Sequence, residues 1–169
     1  MHSINIGMHI EHNFKFLIDK ALWVVVDPWA KQCDEHGNPD EDIEYYKKLD
    51  IDLNQHNNIF LDKLKCELIF VPNVVVFQEA NVPLNDLFDK STYPFYKNIK
   101  QLSIDAKNYS DIVFCGMHYG LCVHRAVTRL QKKLPDINYY VKRDLCCLMP
   151  LHNPHQYDND LIYHNIQII

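Results

Sequence analysis

The chain has 169 residues, 47% of them hydrophobic, and a formal net charge of -5. That length supports one substantial core, so a single domain over 1–169 is expected. The acidic balance excludes a phosphate-neutralising nucleic-acid surface, and the longest apolar runs fall far short of the roughly 20 residues that a membrane span requires.

Met1-His2-Ser3-Ile4-Asn5 shows no charged region leading into an apolar stretch, so no secretory signal is read and the cytoplasm is the expected compartment. Ile4, Ile6, Met8 and Ile10 alternate with polar residues and suggest an extra edge strand. Ala21-Leu22-Trp23-Val24-Val25-Val26-Asp27-Pro28 is a continuous apolar run that stops at an acid and a proline. It reads as a buried parallel strand with Asp27 at its carboxyl edge. From Cys33 to Asp50 the chain is polar and acidic and reads as a loop. Leu53, Ile59, Phe60, Leu64 and Leu68 recur near helical spacing and predict a helix over 52–69, with Asp50 or Asp52 as its cap.

Val74-Val75-Val76-Phe77 supplies a second buried strand. A short connection over 78–89 leads to Lys90-Ser91-Thr92-Tyr93-Pro94-Phe95, and Ile99, Leu102 and Ile104 indicate a further helix. Residues 111–116 are strand again. The next helix runs over 121–134 with Val123, Ala126, Val127 and Leu130 on one face. A strand over 137–141 ends in Lys142-Arg143-Asp144, and the tail from Leu151 is read as a last strand or an arm covering a dimer partner. Strands alternating with helices give an α/β class with a mainly parallel, doubly wound sheet in three α/β/α layers. Ligands in such sheets bind beyond the carboxyl ends of the strands, where Asp27, Gly116 and Asp144 are expected to converge.

The most informative stretch is Val113-Phe114-Cys115-Gly116-Met117-His118-Tyr119-Gly120-Leu121-Cys122-Val123. A strand ends at a glycine, a turn follows, and Cys122 stands where an amphipathic helix begins. A sulfur there meets the positive end of the macrodipole and unpaired N–H groups, which favour thiolate, so Cys122 is expected to be the most reactive of the six cysteines. Cys33, Cys66, Cys115, Cys122, Cys146 and Cys147 show neither zinc-finger nor disulfide-scaffold spacing. Cys66, Cys115, Cys146 and Cys147 lie in or beside apolar runs and read as buried thiols. Cys146 and Cys147 with His152 and His155 have ligand types without finger spacing. A Cys-Arg phosphatase loop is excluded because Thr128 occupies the position six after Cys122.

Four pieces in order resemble the isochorismatase-like cysteine hydrolases, the group of nicotinamidases, N-carbamoylsarcosine amidases and ureidoacrylate hydrolases. They are the strand ending at Asp27, Lys90 ahead of an aromatic, Gly116-Met117-His118-Tyr119-Gly120-Leu121-Cys122-Val123 in place of the signature Gly-Val-x-Thr-Asp-x-Cys-Val, and the strand that leads to Asp144 and Cys147. The resemblance implies a triad of Cys122 as nucleophile, Asp27 as general base and Lys90 as cationic partner. It also implies a cis peptide between Met117 and His118, and an oxyanion hole from the backbone N–H groups of His118 and Cys122.

The implied activity is hydrolysis of a small amide, carbamoyl or ureido compound through a thioester, with a small-molecule substrate, no cofactor, no nucleic acid or membrane partner, and a homo-oligomeric assembly. Tyr119 and Gly120 depart from the signature, and the 78–89 connection lacks the metal-binding histidines of nicotinamidases, so no metal is expected. Two alternatives stand beside this reading: a silent relative acting as a binding or assembly protein, and an enol-ether hydrolase of the isochorismatase type that needs no cysteine.

Overall fold

The computed structural model describes residues 18–33, 36, 38 and 40–169. The edge strand read at Ile4, Ile6, Met8 and Ile10 lies outside the described residues. Six strands, β1 (Leu22–Val26), β2 (Val74–Phe77), β3 (Phe95–Tyr96), β4 (Asp111–Met117), β5 (Asn138–Cys147) and β6 (Gln167–Ile168), form one sheet in the order β3-β2-β1-β4-β5-β6. Every adjacent pair is parallel. The helices are α1 (Glu41–Lys48), α2 (Leu53–Glu67), α3 (Ile99–Ala106), α4 (Cys122–Lys133) and α5 (Asp158–Tyr163), giving a three-layer α/β/α arrangement.

The apolar runs become the three central strands because both faces of a parallel sheet are covered. All residues of β1, β2 and β4 are buried. From β1 the chain winds out to β2 and β3, then crosses back to place β4 on the other flank of β1. The sheet therefore switches direction between β1 and β4, and a crevice opens beyond their carboxyl ends. The two strands are closely drawn together there: Gly116 pairs with Val26 at φ 112°, and a Cβ on it would overlap the Val26 backbone.

Asp52 is the cap of α2, accepting from the Gln55 N–H at 3.0 Å. On α4 the buried face is Val123, Ala126, Val127 and Leu130; each buried Val or Leu of this kind contributes about 2 kcal/mol.

Three readings are corrected. The 33–50 stretch contains helix α1, which is set by local polar signals: Asp40 accepts from the Ile43 N–H at 3.1 Å, and Lys47 and Lys48 lie at its C-terminus. Its one buried anchor is Tyr46, whose hydroxyl donates to the Pro150 carbonyl at 2.9 Å. Strand β5 runs on to Cys147, so Asp144 falls mid-strand and pairs with Lys142 at 2.7 Å rather than ending at the crevice. A register shift opposite Phe114 and Gly116 lets the strand continue past its charged residues. Cys66 is exposed, because it lies off the α2 face carrying Leu61 and Leu64. Phe95 and Tyr96, unassigned from sequence, form the short edge strand β3. The tail forms a strand, β6, preceded by α5. Among the described residues no helix is long and apolar enough to cross a membrane.

Candidate active site

Asp27 follows β1 directly, with its N–H on the Phe77 carbonyl at 2.9 Å and a left-handed φ of 48° that turns the chain away from the sheet. Cys122 is the first residue of α4, reached from β4 through His118, Tyr119, Gly120 and Leu121. The two residues therefore come from the carboxyl ends of adjacent central strands. They line a cavity of about 180 Å³ together with Trp29, Phe77, Glu79, Ala80, Arg125 and Ala126. At about 30 Å³ of liquid volume per water, it takes a ligand of roughly six heavy atoms.

The Cys122 thiol and the Asp27 carboxyl face the same cavity and lie close enough for each to shift the other's ionisation. Burial, opposed by the neighbouring Cys122 thiol, lifts the Asp27 pKa from 3.8 to about 7. For Cys122, burial and then the neighbouring Asp27 charge push the thiol up to about 12. The sulfur thus keeps its proton beside a carboxylate poised near neutrality, which is the pKa a general base needs. Arg125, one helical turn after Cys122, eases the negative charge on both groups, and the His118 backbone favours the thiolate to a smaller extent.

Leu121, the N-cap of α4, makes no side-chain capping bond. In the first turn the Val123 N–H is taken by the His118 carbonyl at 3.3 Å. The Met117–His118 peptide is cis. The His118 ring turns away from the cavity into the interior, where Nε2 lies 3.1 Å from Asn57 Oδ1; burial lowers its pKa to about 3, so the imidazole stays neutral. Asp27 Oδ1 and Trp29 Nε1 are both buried without a hydrogen-bond partner among the described residues. The indole N–H lies near enough to the carboxyl to steady its charge slightly, yet no full hydrogen bond forms.

Lys90 is not brought to this cluster. It is exposed in a turn organised by Asp89, and its ammonium lies 4.5 Å from the centre of the Phe95 ring. The cation that acts on Asp27 and Cys122 is Arg125. Among the described residues no group of three or more His, Cys, Asp or Glu is placed to hold a metal ion.

No protein-family model matches the chain, and no curated protein matches it. Solved structures do resemble it. The YcaC gene product of Escherichia coli, an octameric hydrolase of unknown specificity, superposes with a TM-score of 0.58 at 14% identity, over 89% of this chain and 74% of that one. YcaC from Pseudomonas aeruginosa, with hexane-2,5-diol and covalent acrylamide, gives 0.58 at 12% identity over 89% and 75%. An isochorismatase-like hydrolase from Alkaliphilus metalliredigens gives 0.54 at 11% identity over 89% and 94%. The fold is that of the isochorismatase-like hydrolases.

On this isochorismatase-like scaffold, sequence reasoning missed three cavity residues: Trp29, Glu79 and Arg125. Arg125 had a readable signal, since a residue three after a helix-start cysteine lies one turn along the same face. Glu79 follows β2 by two residues and ion-pairs with Arg129.

The burial of the thiol beside a carboxylate also revises the expected reactivity. Limiting iodoacetamide at neutral pH should label exposed Cys66 first and Cys122 more slowly, and should spare buried Cys115 and Cys146. Peptide mass mapping reads the order, and Cys122 labelling ahead of Cys66 would show a standing thiolate that this geometry does not support.

Proposed function

We propose that the protein is a cysteine hydrolase acting on a small amide, carbamoyl or ureido compound. The observation that carries this reading is the placement of the Cys122 thiol and the buried Asp27 carboxyl together at the wall of a small cavity, each shifting the other's ionisation. The likeness of fold to hydrolases supports it. So does the P. aeruginosa YcaC structure with covalent acrylamide, an electrophilic alkene attached to a protein of this fold.

In the proposed mechanism Cys122 Sγ attacks the carbonyl carbon while Asp27 takes the thiol proton. The oxyanion is received by the N–H groups of His118 and Cys122, a stabilisation of roughly 3 kcal/mol for one such donor. Collapse breaks the C–N bond as Asp27 returns the proton to the departing ammonia or amine, leaving a thioester on Cys122. Water then attacks the thioester, Asp27 accepts its proton and passes it back to sulfur, and the acid is released. Arg125 takes the supporting electrostatic role that the triad assigned to Lys90. Asp27 Oδ1 and Trp29 Nε1 supply an acceptor and a donor side by side, which suits a planar group carrying both N–H and C=O, as an amide or ureide does.

A panel of short amides, carbamoyl amino acids and ureides, assayed for ammonia release, tests the proposal. Release from at least one member is expected, saturating with substrate. No release from any of them by folded protein would move the reading to a binding protein that keeps the scaffold.

A further inference from the structure

The turn between the His118 and Cys122 donors is bonded within itself, from the Leu121 and Val123 N–H groups to the His118 carbonyl at 3.1 and 3.3 Å, and is also held from outside. Its side chains provide no cap for α4. Tyr119 is buried and donates its hydroxyl to Asp158 Oδ1 at 2.5 Å; burial and this bond keep the phenol protonated far above its ordinary range. Asp158 is fixed in turn by Arg143 Nη1 at 2.7 Å and His155 Nδ1 at 3.0 Å. Gly120 has φ 78°, and the space where a Cβ would project is filled by the Tyr157 ring. That ring also meets Tyr119 edge-on, with centroids 6.0 Å apart, and its hydroxyl lies 3.0 Å from His152 Nδ1.

The segment that supplies these groups is anchored independently of the turn. Leu161 of α5 is fully buried, Ile166 nearly so, and β6 pairs with β5 through Tyr140↔Gln167 and Val141↔Ile168. A second tether reaches α4 itself: Asp160 Oδ2 lies 2.6 Å from His124 Nε2, close but off the line of a hydrogen bond. The Tyr119-Gly120 pair that departs from the family signature is thus the pad on which the C-terminal segment docks.

We propose that Tyr157 and Asp158 are positioning residues for Cys122: docked on Gly120 and Tyr119, they fix the turn that sets the thiol and the two N–H donors. They touch neither Asp27 nor the cavity, so they act only through the turn. The hydrolytic consequence rests on the function proposed above, but the effect on the thiol does not.

The test therefore uses two readouts on the full chain: the iodoacetamide labelling rate of Cys122 against pH, and kcat and KM on any substrate found. Tyr157→Ala should free the turn, expose the thiol and bring its titration down toward the ordinary range. Labelling of Cys122 at neutral pH should rise roughly tenfold or more, since each unit of fall in thiol pKa gives tenfold more thiolate. Cys115 and Cys146 should stay protected, and kcat should drop with KM little changed. Tyr157→Phe keeps the ring on Gly120 and should behave as wild type. Should Tyr157→Ala fail to fold, Tyr119→Phe removes one hydroxyl alone and should move both readouts the same way. Wild-type labelling in both Tyr157→Ala and Tyr119→Phe would overturn the proposal. Labelling of Cys115 and Cys146 in step with Cys122 would overturn it too, because the segment would then support the whole fold rather than this turn. If no substrate is turned over, the labelling arm still decides.

Discussion

Replacing Asp27 with Asn is expected to stabilise the protein at neutral pH while abolishing hydrolysis. The folded chain holds the Asp27 pKa near 7, against an ordinary 3.8. Between those values the folded protein keeps a proton that the unfolded chain has released. The stability tied to this group is therefore full below pH 3.8 and is lost as the pH rises through about 7. Asn cannot ionise and avoids that loss, and it accepts a left-handed φ at least as readily as Asp. The gap of about three units corresponds to about 4 kcal/mol above pH 7. Denaturant midpoints measured across the pH range should show the variant and wild type nearly equal at pH 4, diverging to pH 7 and parallel beyond it. A difference that ignores pH, or none at pH 8, would show that Asp27 is an ordinary carboxylate. The same ionisation should shape turnover, with kcat/KM of the wild type climbing with pH and levelling above about 7 as the base loses its proton.

How much of this was legible in the sequence depended on whether one residue type in one place admitted one reading. β1, β2 and β4 were plain, because uninterrupted Val, Ile and Phe runs bounded by Asp, Pro or Gly fit only doubly covered strands. The buried face of α4 was equally plain at helical spacing. Helix α1 was hidden because it buries one tyrosine and is otherwise a solvated, charge-capped helix of about two turns. The length of β5 was hidden because Lys142, Arg143 and Asp144 look like an end, whereas a register shift carries the strand through them.

At the site, order along the chain located Asp27 and Cys122 at neighbouring strand ends. Order could not say where the long Lys90 side chain points, and it points to Phe95. Nor could it show that Gly120 is small because Tyr157, 37 positions later, occupies the space beside it. Helix-start position alone argued for a thiolate; burial and a carboxylate neighbour outweigh the dipole, since the dipole contributes about 1 kcal/mol and the thiol has been pushed up to about 12.

Cys122→Ala carries the largest expected loss of activity and separates the covalent mechanism from its rival on the same fold. The substitution removes the attacking atom but leaves the His118 N–H, the Cys122 backbone N–H, Trp29 and Arg125 in place. Substrate should still bind within a few-fold of wild type while turnover falls by roughly three orders of magnitude or more. Cys122→Ser should be almost as poor, because the hydroxyl stands beside Asp27 yet is far harder to deprotonate than a thiol. In the wild type, acid quenching during turnover should capture an acyl mass on the Cys122 peptide that neither variant shows. The enol-ether route needs Asp27 as an acid–base and no sulfur at all. An alanine variant that keeps more than about a tenth of the wild-type rate, with no acyl adduct in the wild type, would therefore reject the thioester and leave Asp27 as the working group. If instead Ala and Ser are both silent and Asp27→Asn is silent and more stable, the thiol and carboxylate act as one proton-sharing unit. In that unit the carboxylate's burial lowers stability and sets its pKa where the chemistry needs it.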